Sequence, residues 1–209
     1  MQRQWSTALA ATGLVVLALG CGGDQRPQQE AARPRTPIET RGLPAGGAGS
    51  FFIATDAGIV TLESDARETS ETYHVYEYEG ILRGTPFHGV HVSYVESSEY
   101  LLLHRKTGQS WNVDARPLVS PDGRHLAVGA LDLEAMMSPN SLTIYDIDSD
   151  TLSVVFREEP LDWGPDSLRW AGPSTLSLTR VLATDRGPGE YDRIPAELVR
   201  SKTGWAWAP

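Results

Sequence analysis

The sequence predicts an all-β fold of antiparallel sheets, and three observations carry that expectation. Beyond residue 50 the apolar residues fall in short alternating or continuous runs with no sustained 3.6-residue period. Clusters of Gly, Pro, Asp and Ser separate those runs. One kind of turn also recurs at intervals on the order of 40–50 residues, the period of propeller blades that carry several strands each. The expected architecture is a small or incomplete β-propeller of up to four blade-like units, with a β-sandwich as the alternative.

The first 50 residues of the 209-residue chain stand apart. Arg3 precedes a run over 8–19 that is apolar except for Thr12 and Gly13. A membrane-spanning helix needs about 20 such residues, so the run has the length of a signal-peptide hydrophobic region. Residues 22–50 are rich in Gln, Pro, Arg, Gly and Ala, with Ile38 and Leu43 as the only large aliphatic side chains. Such a segment cannot bury a core and is expected to be a flexible tether with a reach on the order of 30 Å. The expected organisation is a signal peptide over 1–20, a tether over 21–50 and a folded domain over 51–209.

The end of the apolar run, Leu17-Ala18-Leu19-Gly20-Cys21, resembles the lipobox of bacterial lipoproteins. The resemblance implies cleavage before Cys21 and lipid on its sulfur, the several acyl chains of that family giving stable attachment. Gly22, where an aspartate would signal inner-membrane retention, implies the outer membrane if the cell is Gram-negative. Cys21 is the one cysteine, so the domain has no internal disulfide and is held by packing.

In the folded part, the runs at 51–54, 58–63, 73–78, 90–95, 100–104, 110–113, 125–128, 142–147, 152–156, 176–181, 196–199 and 205–207 are read as strands. The turn Arg105-Lys106-Thr107-Gly108 is echoed by Ser201-Lys202-Thr203-Gly204, and Asp148-Ser149-Asp150-Thr151 occupies the same place between two runs. Ser64-Asp65 is a weaker fourth candidate.

The stretch Leu118-Val119-Ser120-Pro121-Asp122-Gly123-Arg124-His125-Leu126-Ala127-Val128, followed by Leu142-Thr143-Ile144-Tyr145-Asp146-Ile147-Asp148, resembles the WD40-like repeat of TolB-type β-propellers. In that family Ser-Pro-Asp-Gly joins the first two strands of a blade. The residue chemistry suits a tight turn: Pro sets φ, Asp accepts from nearby backbone and Gly takes positive φ. The stretch 98–108, the same turn, Asp132-Leu133-Glu134-Ala135 and Ser138-Pro139-Asn140 together also resemble bacterial proteins with a propeller-like set of sheets, a likeness that implies no activity.

A net charge of −9 argues against nucleic acid as a partner, because a phosphate backbone is bound by a basic stripe. His88 and His91 are three apart in a strand and therefore face opposite sides, which disfavours a shared metal ion. Asp146, Asp148 and Asp150 have the spacing of early EF-hand ligands, yet Thr151 and Arg157 stand where that loop has Gly and Glu, so a turn without metal is expected. Trp111, Trp163 and Trp170 are read as core, with a sugar-stacking platform as the alternative. No catalytic residues, metal or cofactor are expected.

The segment 129–140 is the longest interruption of the recognisable repeat, and long loops on rigid sheets commonly carry binding. Asp132, Glu134, Met136, Met137 and Asn140 are the candidate binding residues, as a mixture of charge, amide and adaptable apolar surface, the alternative being a solvated excursion whose methionines cover the end of the sheet. The expected function is a non-catalytic binding or scaffold module held at the cell envelope by lipid on Cys21, with another envelope protein as partner; the alternative is an envelope hydrolase. Replacing Cys21 by serine should move the protein from the membrane fraction to the soluble one, and an unchanged distribution would remove the lipoprotein reading.

Overall fold

The computed structural model describes residues 49–67, 72–135, 137–187 and 189–209. Their regular structure is β-strand throughout, in four antiparallel sheets. Strands β1 (Gly49–Thr55) and β2 (Gly58–Ser64) form a two-stranded first sheet. The second sheet holds β3 (Val75–Ile81), β4 (Phe87–Ser93), β5 (Ser98–His104) and β6 (Ser110–Val113). The third holds β7 (Leu118–Val119), β8 (His125–Ala130), β9 (Ser141–Asp148) and β10 (Thr151–Glu158), and the fourth β11 (Trp163–Gly172), β12 (Thr175–Ala183), β13 (Tyr191–Ser201) and β14 (Gly204–Trp207). Every sheet pairs its strands in chain order, so each is a blade-like meander and the set is an incomplete propeller.

Side-chain alternation explains how the sheets stack. In β5, Leu101 and Leu103 pack with Ile53 of the first sheet, whereas Tyr100 and Leu102 pack with Leu126 and Val128 of the third. In β8 the same division recurs, with Ala127 turned to the fourth sheet and joined there by Trp163, Leu176, Leu178, Leu198 and Trp205. A strand covered on both faces reads as a continuous apolar run, as at 100–103 and 125–128, while β12 in the last sheet alternates. Fully burying one such aliphatic side chain contributes about 1.5–3 kcal/mol.

The hairpins repeat as the sequence suggests, with one correction. The turns after β5, β9 and β13 each join the third and fourth strands of their sheets. Their counterpart in the first sheet is Thr55–Gly58 and not Ser64-Asp65, since Ser64 ends β2 and Asp65 bridges to His74. Neighbouring turns touch. The Asp56 amide donates to the Arg105 carbonyl at 2.8 Å, the His104 Nε2 lies 3.2 Å from the Ser149 carbonyl oxygen, and Lys106 pairs with Asp150. The His104 Nδ1 accepts from the Thr107 amide, which leaves the proton on Nε2 to donate across the sheets.

Ser-Pro-Asp-Gly joins β7 to β8. The Ser120 hydroxyl donates to Asp122 at 2.6 Å and accepts from the His125 amide at 2.9 Å. Gly123 has φ +71°, and a Cβ there would stand 2.5 Å from the Gly84 carbonyl oxygen of the second sheet. The turn therefore demands glycine twice over, for its backbone and for its neighbour.

One strand escaped the sequence reading. β7, implied by the repeat that begins at Leu118, is only two residues long, whereas the unread β11 carries Gly164, Pro165 and register shifts that mask its alternation. β11 supplies Trp163 to the core, while Trp170 and Trp205 meet edge to face at 5.7 Å. Within the fourth sheet the Arg180 guanidinium lies 3.7 Å from the Trp207 ring centre and 4.7 Å from that of Trp163. The Trp207 indole then reaches the third sheet, donating to Glu158 at 2.8 Å. A shielded cation on an aromatic face contributes on the order of 2 kcal/mol.

Gly89 lies under the Tyr100 ring, and a Cβ would approach its hydroxyl to 2.0 Å. Gly89→Ala should therefore destabilise the domain by about 1–3 kcal/mol in denaturant unfolding, the usual result of overpacking. Adding Tyr100→Phe should recover part of the loss; no loss in the single variant would refute the contact.

Burial holds two histidines below their ordinary pKa, His88 with help from Arg105 and His125 with help from Arg200. For His125, Asp146 and Asp122 pull the other way and Arg124 adds to the lowering. The unfolded chain then takes up protons first. Stability from these residues is complete above the ordinary histidine range and falls as pH drops through it. The melting temperature should decline from pH 7.5 to 5.5, and His125→Gln should flatten the decline; an unaltered slope would count against it.

Candidate functional site

The loop over residues 131–140, between β8 and β9, is held by its own polar groups. Asp132 accepts from the amides of Ala135 at 3.0 Å, Met137 at 2.8 Å and Ser138 at 2.9 Å. Asn140, 8% exposed, closes the base by accepting from the Asp132 amide at 2.7 Å. Charged acceptors of backbone N–H groups are among the stronger hydrogen-bonding arrangements, so Asp132 gathers the backbone of Ala135, Met137 and Ser138 around it.

Gly164 of β11 lets this loop settle on the last sheet. A Cβ at that position would lie 2.3 Å from Leu131 Cδ1 and 2.8 Å from Asn140 Oδ1. Farther along, the Tyr191 hydroxyl of β13 donates to Glu134 at 2.8 Å. A cleft of about 330 Å³ lies between residues 131–135 and Val181, Tyr191 and Arg193. Arg193 is tied to Asp166, and its hydrogen bond keeps the Asp166 carboxyl below the ordinary carboxylate range.

A second cleft, about 420 Å³, borders the opposite flank of the loop and is lined by Met137, Pro139, Glu159, Pro160 and Leu161. Its apolar residues face water. Met137 is 58% exposed, Leu161 96% and the nearby Leu131 42%. Single exposed aliphatics are ordinary on a protein surface, whereas Met137 and Leu161 line one cleft together.

The candidate residues thus divide by role. Asp132 and Asn140 turn inward and shape the loop, Glu134 is engaged by Tyr191, and Met137 is exposed. Met136 and Cys21 lie outside the described residues. Leu161, Tyr191 and Arg193 join the site from segments distant in the chain. A leucine among Glu159, Pro160 and Asp162 was the one available sequence signal for them.

Other candidate chemistry is dispersed. Ser120, Asp122 and His125 are close in sequence, but the Ser120 hydroxyl engages Asp122 and the His125 backbone, while the imidazole lies between Trp170 and Trp205. Such an arrangement locks a turn and offers no activated nucleophile. His88 is buried, with Tyr78 on its Nδ1, and His91 on the same strand is only half-buried and near Ser93. Among the described residues no three His, Cys, Asp or Glu side chains converge on a metal position. Trp111 belongs to the core between the second and third sheets and Trp163 and Trp170 to the next one, so they share no platform.

No protein-family model and no curated protein matches the chain. Among solved structures it is similar to the crystal structure of the tricorn protease, with 14% identity and a TM-score of 0.39 over 72% of this chain and 16% of that one.

The role given to Asp132 can be read by hydrogen exchange. Asp132→Ala should speed exchange at Ala135, Met137 and Ser138 and lower stability by about 1–3 kcal/mol, the usual effect of lost hydrogen bonds to a charged group. Unchanged protection would show that the loop is ordered by something else.

Proposed function

We propose that this chain is a lipid-anchored envelope protein whose propeller-like domain serves as a non-catalytic binding module, with the 131–140 loop as its docking surface. The observation that carries this reading is the division of labour within the loop. Asp132 and Asn140 hold its backbone, while Met137 and Leu161 remain exposed beside it. A rigid surface with a few apolar anchors and a polar rim is what a binder needs, because little ordering entropy is lost on contact. The lipobox-like ending at Cys21 supports the anchor, and the Ser-Pro-Asp-Gly repeat supports kinship with TolB-type propellers, whose blades share that turn. Another envelope protein is the proposed partner.

The test places charge on the two anchors. Met137→Asp combined with Leu161→Asp should reduce crosslinked partner in the native envelope by tenfold or more. Stability should change little, since exposed substitutions are usually within about 0.5 kcal/mol of neutral. Full retention of crosslinking with both charges present would rule out this surface.

A further inference from the structure

Antiparallel strands taken in chain order put the tight turns at one end of the sheets and the longer connections at the other. The Thr55–Gly58 turn and the turns over 82–86, 105–109, 120–124, 149–150 and 202–203 share the first end. They adjoin one another. The Asp56 amide donates to the Arg105 carbonyl and the Arg105 amide to the Pro86 carbonyl, both at 2.8 Å, while Gly123 lies against Gly84. Trp205, beside the 202–203 turn, meets His125, beside the 120–124 turn, at 5.5 Å. The connections over 94–97, 131–140, 159–162 and 184–190 lie at the second end, where β1 also enters and β14 leaves.

Charge divides between these ends. Arg83, Arg105, Arg124, Arg200 and Lys202 are exposed at the turn end, and among the described residues none of them meets a carboxylate in an ion pair. Elsewhere only Arg169 shares that state, because Arg67, Arg116, Arg157, Arg186 and Arg193 are each paired and Arg180 lies on tryptophan rings. Most carboxylates of the turn end are engaged: Asp122 by the Ser120 hydroxyl, Asp150 by Lys106, and Asp146 beside His125, which leaves Asp56 and Asp148. At the loop end the balance reverses. Glu96, Asp162, Asp185 and Glu190 are exposed there with no cation among the described residues. A lone exposed arginine is ordinary, whereas these gather on neighbouring turns of a chain whose net charge is −9, and so set a local potential opposite to that of the whole. The turn over 82–86 also borders two clefts. One, about 340 Å³, is lined by Ile81, Pro86 and Arg105, and the other, about 580 Å³, by Arg83, Leu118 and Pro121. Ile81 is 48% exposed and Leu118 36%, so each cleft sets an accessible apolar side chain beside an unpaired guanidinium.

We propose that the turn end of the sheets docks an acidic, extended segment of another protein, with aspartate or glutamate on Arg83 and Arg105 and apolar side chains in the two clefts. This surface is separate from the 131–140 loop and independent of it. A planar guanidinium takes a carboxylate through two parallel hydrogen bonds, and complementary charge at such a face speeds encounter and rejects wrong partners. A lipid surface offers charge but nothing that enters clefts walled by Ile81 and Leu118. The chain's own preceding segment has the wrong sign, since over 22–48 Arg26, Arg33, Arg35 and Arg41 outnumber Asp24, Glu30 and Glu39. Copies stacked turn end on loop end would leave the same two ends open again, an arrangement that grows without closing.

The probe is a fluorescein-labelled nonapeptide of alternating glutamate and leucine, added to the full chain in detergent. It should bind saturably at low salt and at least tenfold more weakly in about 0.3 M salt, where exposed charges are screened. Arg83→Gln combined with Arg105→Gln should weaken binding at least tenfold with an unchanged melting temperature, since neither side chain has an ion pair to lose. Arg67→Gln combined with Arg186→Gln, an equal loss of charge at the loop end, should leave binding within twofold. Peptides of alternating lysine and leucine, or of alternating glutamate and glycine, should each bind at least tenfold more weakly, and phosphatidylglycerol added to the micelles should not displace the probe. The proposal is overturned if the probe does not bind, if the turn-end pair leaves binding intact, if the loop-end pair weakens it as much, or if the lysine or glycine peptide binds as well. Displacement by phosphatidylglycerol would assign the face to lipid, and self-association of the chain that the turn-end pair abolishes would assign it to a second copy; either result also overturns it.

Discussion

Leu126 and Val128 face one neighbouring sheet and Ala127, between them, faces the other, and the order of the whole domain depends on that alternation. A strand that buries both faces has no solvent side to slip toward, so a one-residue error in register would exchange every contact at once. With no disulfide in the domain, this burial is what fixes each sheet against the next. Among the described residues the end sheets have a partner on one face only. Their strands β1, β2 and β12 alternate, and the exposed Phe52 and Ile59 are found on the first sheet.

The turns transmit order between sheets that share little backbone pairing. His104 reaches the Ser149 carbonyl, Lys106 reaches Asp150, and Gly123 lies against Gly84. These contacts are individually weak, and exposed ion pairs such as Lys106–Asp150 contribute little. Their value is positional: each sets the height of one sheet relative to its neighbour, so apolar layers meet in register. The same positioning draws the 131–140 loop from the third sheet onto Gly164 of the fourth.

That loop also shows why polar residue types alone did not identify the contacting atoms. Asp132 looks from sequence like a group offered to a partner, but its oxygens are taken by three backbone amides. An irregular stretch has N–H groups to satisfy, and a carboxylate at its base is an efficient way to gather them. What remains for contact is apolar. Ser120 and Asp122 repeat the lesson in the neighbouring turn, where a hydroxyl and a carboxylate that resemble catalytic machinery are consumed in closing a hairpin.

The sequence by itself determined the strand class, the places of most strands, the recurring hairpins and the Ser-Pro-Asp-Gly turn, because these depend on near-neighbour periodicity and on the φ preferences of Pro and Gly. It also determined where the longest loop of the third sheet would leave the fold. Tertiary structure decided which turn of the first sheet belongs to the repeat, since Thr55–Gly58 is recognised by its hydrogen bond to Arg105 and not by its residues. It decided that β11 is a strand despite Gly164 and Pro165, through pairing with β12. It decided, finally, that Leu161, Tyr191 and Arg193 gather around residues 131–140, because proximity between segments far apart in the chain is set by how the sheets pack, and no local pattern encodes it.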